Sequence, residues 1–155
     1  MRHLKTLLTK KFVLMLFLAY FFFSSISVMA ADRFVDNGNG TITDTTTGLM
    51  WLATDNNALI NWQGANEYCK KLHVGGYTDW RIPTLAELES IYNPDKKNKD
   101  GYHTTKQITT TAESCWSSET EGNKAGRFNF THGKVYWLRQ SFSGSGRVLP
   151  VRFNR

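Results

Sequence analysis

The sequence predicts an α+β domain with antiparallel sheets, two helices and a long loop. Short runs of β-branched and aromatic residues lie in the first and last thirds of residues 31–155, separated by turn-forming glycine and asparagine pairs. Two intervening segments, 62–72 and 84–92, carry apolar residues at helical spacing. Residues 95–111 are polar and lack such spacing, which predicts a long surface loop.

The first 30 residues have the pattern of a secretory signal peptide. A basic start precedes twelve apolar residues, Phe12 to Phe23, and small residues then lead to Ala30. Cleavage there would leave a single domain, 31–155. The alternative is an uncleaved membrane anchor, although the apolar run is shorter than the roughly 20 residues of a spanning helix. We expect an exported protein, periplasmic or secreted to the cell surface, with no stable membrane span after cleavage.

Charge is unevenly distributed in the predicted mature chain. Residues 31–155 hold 15 basic and 13 acidic side chains, so the net charge is +2 and the pI of 9.4 overstates how basic this part is. Residues 32–121 carry 8 basic and 13 acidic side chains, whereas residues 122–155 carry seven basic side chains and no acidic one. We expect no nucleic-acid partner.

The first third of the mature chain predicts three short strands, at 33–36, 41–44 and 49–52. Its aspartates and asparagines do not form an EF-hand loop, because alternate positions counted from Asp36 are glycines. His103, in the long loop, has no second ligand at metal-binding spacing. We expect no metal and no cofactor.

Both helices have recognisable N-terminal caps. Asn61 can cap the first helix, in which Trp62 and Cys69 belong to the apolar face. Thr84 and Glu87 begin the second helix and can form a capping box, in which each side chain accepts the backbone N–H of the other residue.

Cys69 and Cys115 are the two cysteines of the sequence, and both lie in the part expected to be exported. An even number of cysteines in an oxidising compartment favours a disulfide. Two buried free thiols are the alternative.

A second group of residues is expected to hold the fold together. Trp80 and Trp116 are predicted core residues, and Arg81 is expected to form a buried or half-buried polar link. The complete structural group is Trp62, Cys69, Trp80, Arg81, Thr84, Glu87, Cys115 and Trp116.

The last third predicts strands at 115–118, 127–131, 134–139 and 147–153, with apolar residues alternating with basic and polar ones. One sheet face is therefore expected to be basic. Arginine forks suit sulfate and carboxylate groups. Solvated cations that protect a strand edge are the alternative. The candidate ligand-binding residues are Arg127, Lys134, Tyr136, Trp137, Arg139 and Arg147.

Taken in order, these motifs resemble the C-terminal domain of the bacterial collagen-like adhesin Lcl. The resemblance runs from about residue 34 to residue 153, and its most specific part is Asp-Trp-Arg-Ile-Pro-Thr-x-x-Glu-Leu at 79–88. Gly-Asn-Gly-Thr-Ile-Thr-Asp at 38–44 and Trp-Ser-Ser at 116–118 add to it. It implies a C-type-lectin-like fold with paired N- and C-terminal strands, and binding of sulfated glycosaminoglycans.

The chain departs from this family pattern at its last strand. Members often end in Val-Arg-Cys, where this sequence has Val151-Arg152-Phe153. The usual partner of the helix cysteine is therefore missing, and a bridge between Cys69 and Cys115 would be a rewired one. The sequence also has no collagen-like Gly-X-Y segment.

Three functions follow from these observations. The first is a non-enzymatic binding module that recognises anionic or sulfated glycans through a basic C-terminal surface. The second is a structural cell-envelope protein that binds an envelope or host protein. The third is an enzyme of the formylglycine-generating type, to which residues 81–87 are also similar. It is least favoured because the chain is short and has only Cys115 in its C-terminal half.

Overall fold

The first sheet combines strands from both ends of the region described by the computed structural model, residues 32–155. Strands β1 (Phe34–Asp36), β2 (Thr41–Asp44) and β3 (Leu49–Leu52) form an antiparallel meander. The last strand, β8 (Val151–Phe153), joins this sheet, but it pairs antiparallel with β3 rather than with β1. The glycines of both Asn-Gly pairs have positive φ angles of 71° and 84°, which explains why glycine occupies the turn before β2.

The two helices begin at their predicted caps. Helix α1 (Trp62–Lys71) starts after Asn61, whose Oδ1 accepts a backbone N–H at 2.8 Å. Helix α2 (Leu85–Ser90) starts with the predicted capping box: Thr84 Oγ1 accepts the N–H of Glu87 at 3.1 Å, and Glu87 Oε2 accepts the N–H of Thr84 at 2.8 Å. It ends at Ser90, two residues before the predicted limit.

The second sheet contains β4 (Ser114–Glu121), β5 (Lys124–Asn129), β6 (Lys134–Arg139) and β7 (Gly146–Arg147), in the order β6-β5-β4-β7. β7 runs parallel to β4, and the other pairs are antiparallel. The single strand expected at 147–153 is therefore two short strands in different sheets. The α+β class with antiparallel sheets and two helices is confirmed.

Two apolar clusters cover the two faces of the second sheet. The larger joins the first sheet and α2 to one face and contains Trp51, Leu88 and Phe128. The smaller joins α1 to the opposite face and contains Ala65 and Trp116. The sheet face that carries Arg127 is therefore partly covered, because α1 packs against it.

Cys69 and Cys115 are free thiols, so the predicted disulfide is wrong in this structure and the alternative of two buried thiols holds. They belong to different clusters, since Cys69 packs with Trp116 whereas Cys115 lies in the larger cluster. Consecutive strand residues point to opposite faces, which places Cys115 away from Cys69. Burial raises the pKa of Cys69 to about 12 and that of Cys115 above its usual range.

The long connection between α2 and β4 contains no helix or extended strand, as predicted, but it is not purely a surface loop. Asn98, Thr104, Ile108 and Thr110 are buried within it. Asn98 donates from Nδ2 to Thr110 O and Oγ1, both at 3.2 Å, and its Oδ1 accepts two backbone N–H groups. These side-chain bonds add to the backbone hydrogen bonds that join the segment to its neighbours, such as those from Thr109 N–H to Ala53 O at 2.8 Å and from His103 N–H to Phe130 O at 2.9 Å.

Residues 32–155 form one compact unit. Within this range, no helix has the length and apolar character needed to cross a membrane. The predicted signal peptide, residues 1–30, lies outside the described residues.

Candidate functional site

Three neighbouring side chains cross the α1-facing side of the second sheet. Trp116, Arg127 and Tyr136 are directly paired on β4, β5 and β6, so they share one face. The Arg127 guanidinium carbon lies 5.0 Å from the Trp116 ring centroid, within cation–π range. Tyr136 is 44% exposed. The row runs from a core tryptophan through a buried cation to an exposed ring.

A groove of about 260 Å³ opens beside this row. Asn129 forms part of it and is held by its own bonds: Oδ1 accepts two backbone N–H groups and Nδ2 donates to Ser114 Oγ at 3.3 Å. Lys134 is exposed and pairs with Asn129 across the strands, so its side chain lies on the same sheet face. The lining residues are Glu113, Ser114, Arg127, Asn129, His132, Tyr136, Leu138 and Ser145.

The positive charge of Arg127 is buried without a contacting carboxylate. The residue is 2% exposed, and no ion pair within residues 32–155 includes it. Nη1 and Nη2 donate to the backbone oxygens of Gly144 and Ser145 at 3.1 and 2.6 Å, whereas Nε is buried without a hydrogen-bond partner. Burial lowers the pKa of Arg127. Arginine nevertheless stays protonated in proteins, so a cation remains beside the groove.

The backbone of residues 144–146, which lies over Arg127, has little conformational freedom. Ser145 adopts a φ of +50°, which side-chain-bearing residues rarely do. A Cβ atom at Gly146 would lie 2.8 Å from Trp116 Nε1 and 3.3 Å from the Arg127 guanidinium carbon. Glycine at 146 therefore allows the backbone to approach the tryptophan and the arginine closely.

The six predicted ligand-binding residues do not form one surface. Arg127, Lys134 and Tyr136 share the groove face, whereas Trp137 and Arg139 alternate to the other face of β6. Trp137 is half-buried opposite a glycine of β5, and Arg139 is exposed.

Two predicted arginines are less accessible than the sequence suggested. Arg127 was expected on an open face and instead lies beneath the Gly144–Ser145 backbone. Arg147 is half-buried on β7, and its Nε donates to Thr111 Oγ1 at 3.2 Å. The long loop partly covers Arg147 through this contact. Alternation within a strand could not predict a contact with a distant loop.

The other basic and acidic residues of the predicted structural group are engaged in stabilising contacts. Arg81 donates from Nη1 and Nη2 to Glu87 at 2.8 and 2.6 Å, which is the predicted polar link. Burial would raise the pKa of Glu87, but hydrogen bonds from Arg81 and from the N–H of Thr84 lower it overall. Trp80 and Trp116 are 4% and 0% exposed, as core residues should be.

Several groove residues were not predicted, among them Asn129, Ser114 and His132. The alternation of Asn129 with two phenylalanines was visible in the sequence, but it indicated only an outward-facing polar residue. A second hollow of about 280 Å³ lies near β1 and the end of α2. Its arginine, Arg33, already pairs through two hydrogen bonds with Asp44, so it offers no comparable unpaired guanidinium. In residues 32–155, no three His, Cys, Asp or Glu side chains cluster as metal ligands.

Comparison with known families decides the relationship of this chain. The sequence model of the Lcl C-terminal domain family matches residues 40–152. The chain belongs to the Lcl C-terminal domain family. The match includes both helices and the groove, and it confirms the sequence resemblance. Membership in the Lcl C-terminal domain family indicates an adhesin-associated module. No curated protein matches the chain.

Proposed function

We propose that this protein is an exported, non-enzymatic binding module that takes an anionic glycan at the groove beside Arg127. The observation that carries the proposal is the buried guanidinium, which has no carboxylate partner within residues 32–155 and lies beside an exposed tyrosine. A buried charge is costly unless another group compensates it. A carboxylate or sulfate group of a ligand would add to the compensation that two backbone oxygens and the nearby charge of Glu113 already give.

The groove offers the contacts that such a glycan needs. Arg127 has five N–H donors, of which the structure uses two, so three remain. The ring of Tyr136 offers an apolar surface for a sugar ring, and Lys134 adds an exposed cation on the same sheet face. Nε is buried without a partner, so Arg127 would contact a ligand through the two remaining N–H groups of Nη1 and Nη2.

The chemistry of the remaining residues supports binding rather than catalysis. An enzyme of the formylglycine-generating type needs reactive cysteines, yet burial raises the pKa of Cys69 to about 12 and raises that of Cys115. The neutral thiol therefore predominates at both positions, and a neutral thiol is a poor nucleophile. Glu87 and Asp44 are occupied by arginine partners.

Export rests on the predicted signal peptide and agrees with an adhesin-associated module. We propose a location in the periplasm or at the cell surface, where the partner would be an anionic glycan or an envelope or host protein. Cell fractionation and N-terminal sequencing test this directly. A mature protein that begins at residue 31 supports export, and a cytoplasmic protein with residues 1–30 retained contradicts it.

Heparin affinity chromatography in a salt gradient tests the groove. Lys134→Glu and Arg139→Glu make the same charge change on opposite faces of β6, so they form a matched pair. We expect Lys134→Glu to elute at clearly lower salt and Arg139→Glu to change little. Tyr136→Ala should also elute earlier, because the apolar platform is lost.

Two results would contradict the groove proposal. Equal shifts for the two charge reversals would show that net charge alone causes retention. Absence of heparin retention in the unmodified protein, together with no binding to carboxylated polysaccharides such as hyaluronan, would remove anionic glycans as ligands.

A further inference from the structure

The outer edge of β6 is the longest open strand edge in the described part of the protein. Both sheets end in short strands elsewhere: β1 and β8 have three residues each, and β7 has two. β6 has six residues and pairs with β5 on one side only. A short edge strand limits unwanted pairing with other chains, and β6 is not short.

Within the described residues, the outward-pointing backbone groups of β6 have no partner up to Leu138, whereas the carbonyl oxygen of Arg139 accepts the N–H of Phe142 at 2.9 Å. The N–H of Gln140 donates to the oxygen of Asn123, which continues the β5–β6 ladder. Because antiparallel pairing alternates, Val135, Trp137 and Arg139 direct their N–H groups away from β5. Within residues 32–155, no backbone hydrogen bond joins 134–138 to a segment other than β5.

The side chains along this edge define the chemistry of a partner. Lys134 and Arg139 are exposed at its two ends, and neither belongs to an ion pair within the described residues. Val135 and Tyr136 are 43% and 44% exposed between them. A complementary strand would carry carboxylates at its ends and apolar or hydroxyl side chains in its middle.

We propose that the outer edge of β6 accepts an extended segment of a partner protein, acidic at both ends, as an added antiparallel strand. Main-chain hydrogen bonds would supply affinity, and pairing with Lys134 and Arg139 would supply selectivity. A second copy of this chain fits less well. Two β6 strands side by side would bring four cations together with no carboxylate on either strand. Lys134 and Tyr136 belong both to this edge and to the groove face, but the added strand would bind the outward backbone groups of β6, so the inference does not depend on glycan binding.

Synthetic hexapeptides provide the test with residues 31–155 of the protein. The probe is acetyl-Glu-Val-Val-Thr-Val-Glu-amide, and the charge control replaces both glutamates with lysine. A second control keeps the probe sequence but carries N-methyl groups on its third and fifth residues, which removes N–H groups facing β6. We expect the acidic probe to bind about tenfold more tightly than the lysine peptide. The methylated peptide should not bind measurably.

Amide NMR locates the bound peptide. The N–H groups of Val135, Trp137 and Arg139 should shift and become protected from exchange, whereas those of Tyr136 and Leu138 are already bonded to β5. Equal binding of the acidic and methylated peptides, or shifts confined to other strands, would overturn the inference.

Two variants of Val135 provide the protein-side control. Val135→Pro removes one outward N–H but no hydrogen bond to β5, and proline is accepted at such positions of an edge strand. Val135→Thr keeps the N–H. We expect the proline variant to bind the probe at least about fivefold more weakly, and the threonine variant to bind normally. Unchanged heparin retention, if the protein binds heparin, together with an unchanged circular dichroism spectrum, would show that Val135→Pro is folded.

The oligomeric state completes the test. We expect analytical ultracentrifugation to detect no dimer that forms through β6. A dimer that Val135→Pro dissociates would overturn the proposal, because the edge would then be occupied by a second copy of the chain.

Discussion

Glu87→Gln should destabilise the protein more than any other single exchange of an acidic residue in α2. The Glu87 carboxylate accepts three hydrogen bonds: two from Arg81 at 2.8 and 2.6 Å, and one from the N–H of Thr84 at 2.8 Å. The side chain thus ties the start of α2 to the segment that precedes it. The amide of glutamine retains the approximate shape but has one acceptor oxygen and no charge.

The expected loss at neutral pH is about 2 kcal/mol. A hydrogen bond to a charged group contributes roughly 1.5–3 kcal/mol, and at least one such bond is lost. The Arg81 side chain is 34% exposed, so water recovers part of this energy and the lower half of the range applies. For a domain of this size, the midpoint of thermal unfolding should fall by roughly 6–10 °C.

The pH dependence of unfolding separates this interaction from a packing defect. The pKa of Glu87 is lower in the folded protein than in the unfolded chain, where it is about 4.3. The ionised side chain therefore stabilises the folded protein at pH values above about 4.3. This stabilisation is lost as the pH falls through the pKa of Glu87 in the folded protein. The variant has no carboxyl at this position. The difference in unfolding free energy between the two proteins should therefore be largest above about pH 5 and should narrow toward pH 2–3.

Urea unfolding at pH 7 and pH 3 measures both quantities. Glu89→Gln is the matched control, because Glu89 is exposed on the same helix and its side chain has no hydrogen-bond partner within residues 32–155. Its effect should stay within about 0.5 kcal/mol. A Glu87→Gln loss of equal size at both pH values would refute the charge-based explanation.

Three further predictions concern the cap, the buried cation and the thiols. Thr84→Ala should lower the free energy of unfolding by about 1 kcal/mol, and an unchanged midpoint and denaturant slope would mean that the cap does not form in solution. Arg127→Met should reduce heparin retention and lower the free energy of unfolding by about 2–4 kcal/mol, because the backbone oxygens of Gly144 and Ser145 lose their hydrogen-bond donors. A loss above about 4 kcal/mol would instead make Arg127 a structural clamp. Cys69 and Cys115 should react with a thiol reagent only after unfolding. A protein mass that is two hydrogens lower than expected under non-reducing conditions would show a disulfide and contradict the prediction of free thiols.

Local sequence signals predicted the helices and most strands because their causes are local. The box of Thr84 and Glu87 depends on residues three apart, and the cap at Asn61 depends on one side chain and the next turn. The Asn-Gly pairs similarly place the turn before β2, since glycine tolerates positive φ. None of these features needs information from distant parts of the chain.

The site was predicted only in part because its exposure depends on distant segments. Alternation predicted a basic and polar sheet face, but it did not give the register that pairs Arg127 with Tyr136. It could not show that α1 and the Gly144–Ser145 backbone would bury Arg127 and leave Tyr136 at the opening. A period of two assigns residues to faces but does not say what covers each face.

The cysteines show the same limit. Their number and predicted compartment favoured a disulfide, and these are properties that a sequence contains. A bond also requires that the two side chains face each other, and β4 points Cys115 away from the cluster that holds Cys69.

The sequence by itself determined the family, the α+β class, the helix caps and the strong positive charge of residues 122–155. These follow from residue types at short spacing. Tertiary structure alone decided that the positive charge is divided between two sheet faces, that one arginine is buried beside a groove, and that β6 keeps an open edge. The reason is physical: exposure and pairing depend on which segments pack together, and those contacts join residues far apart in the chain.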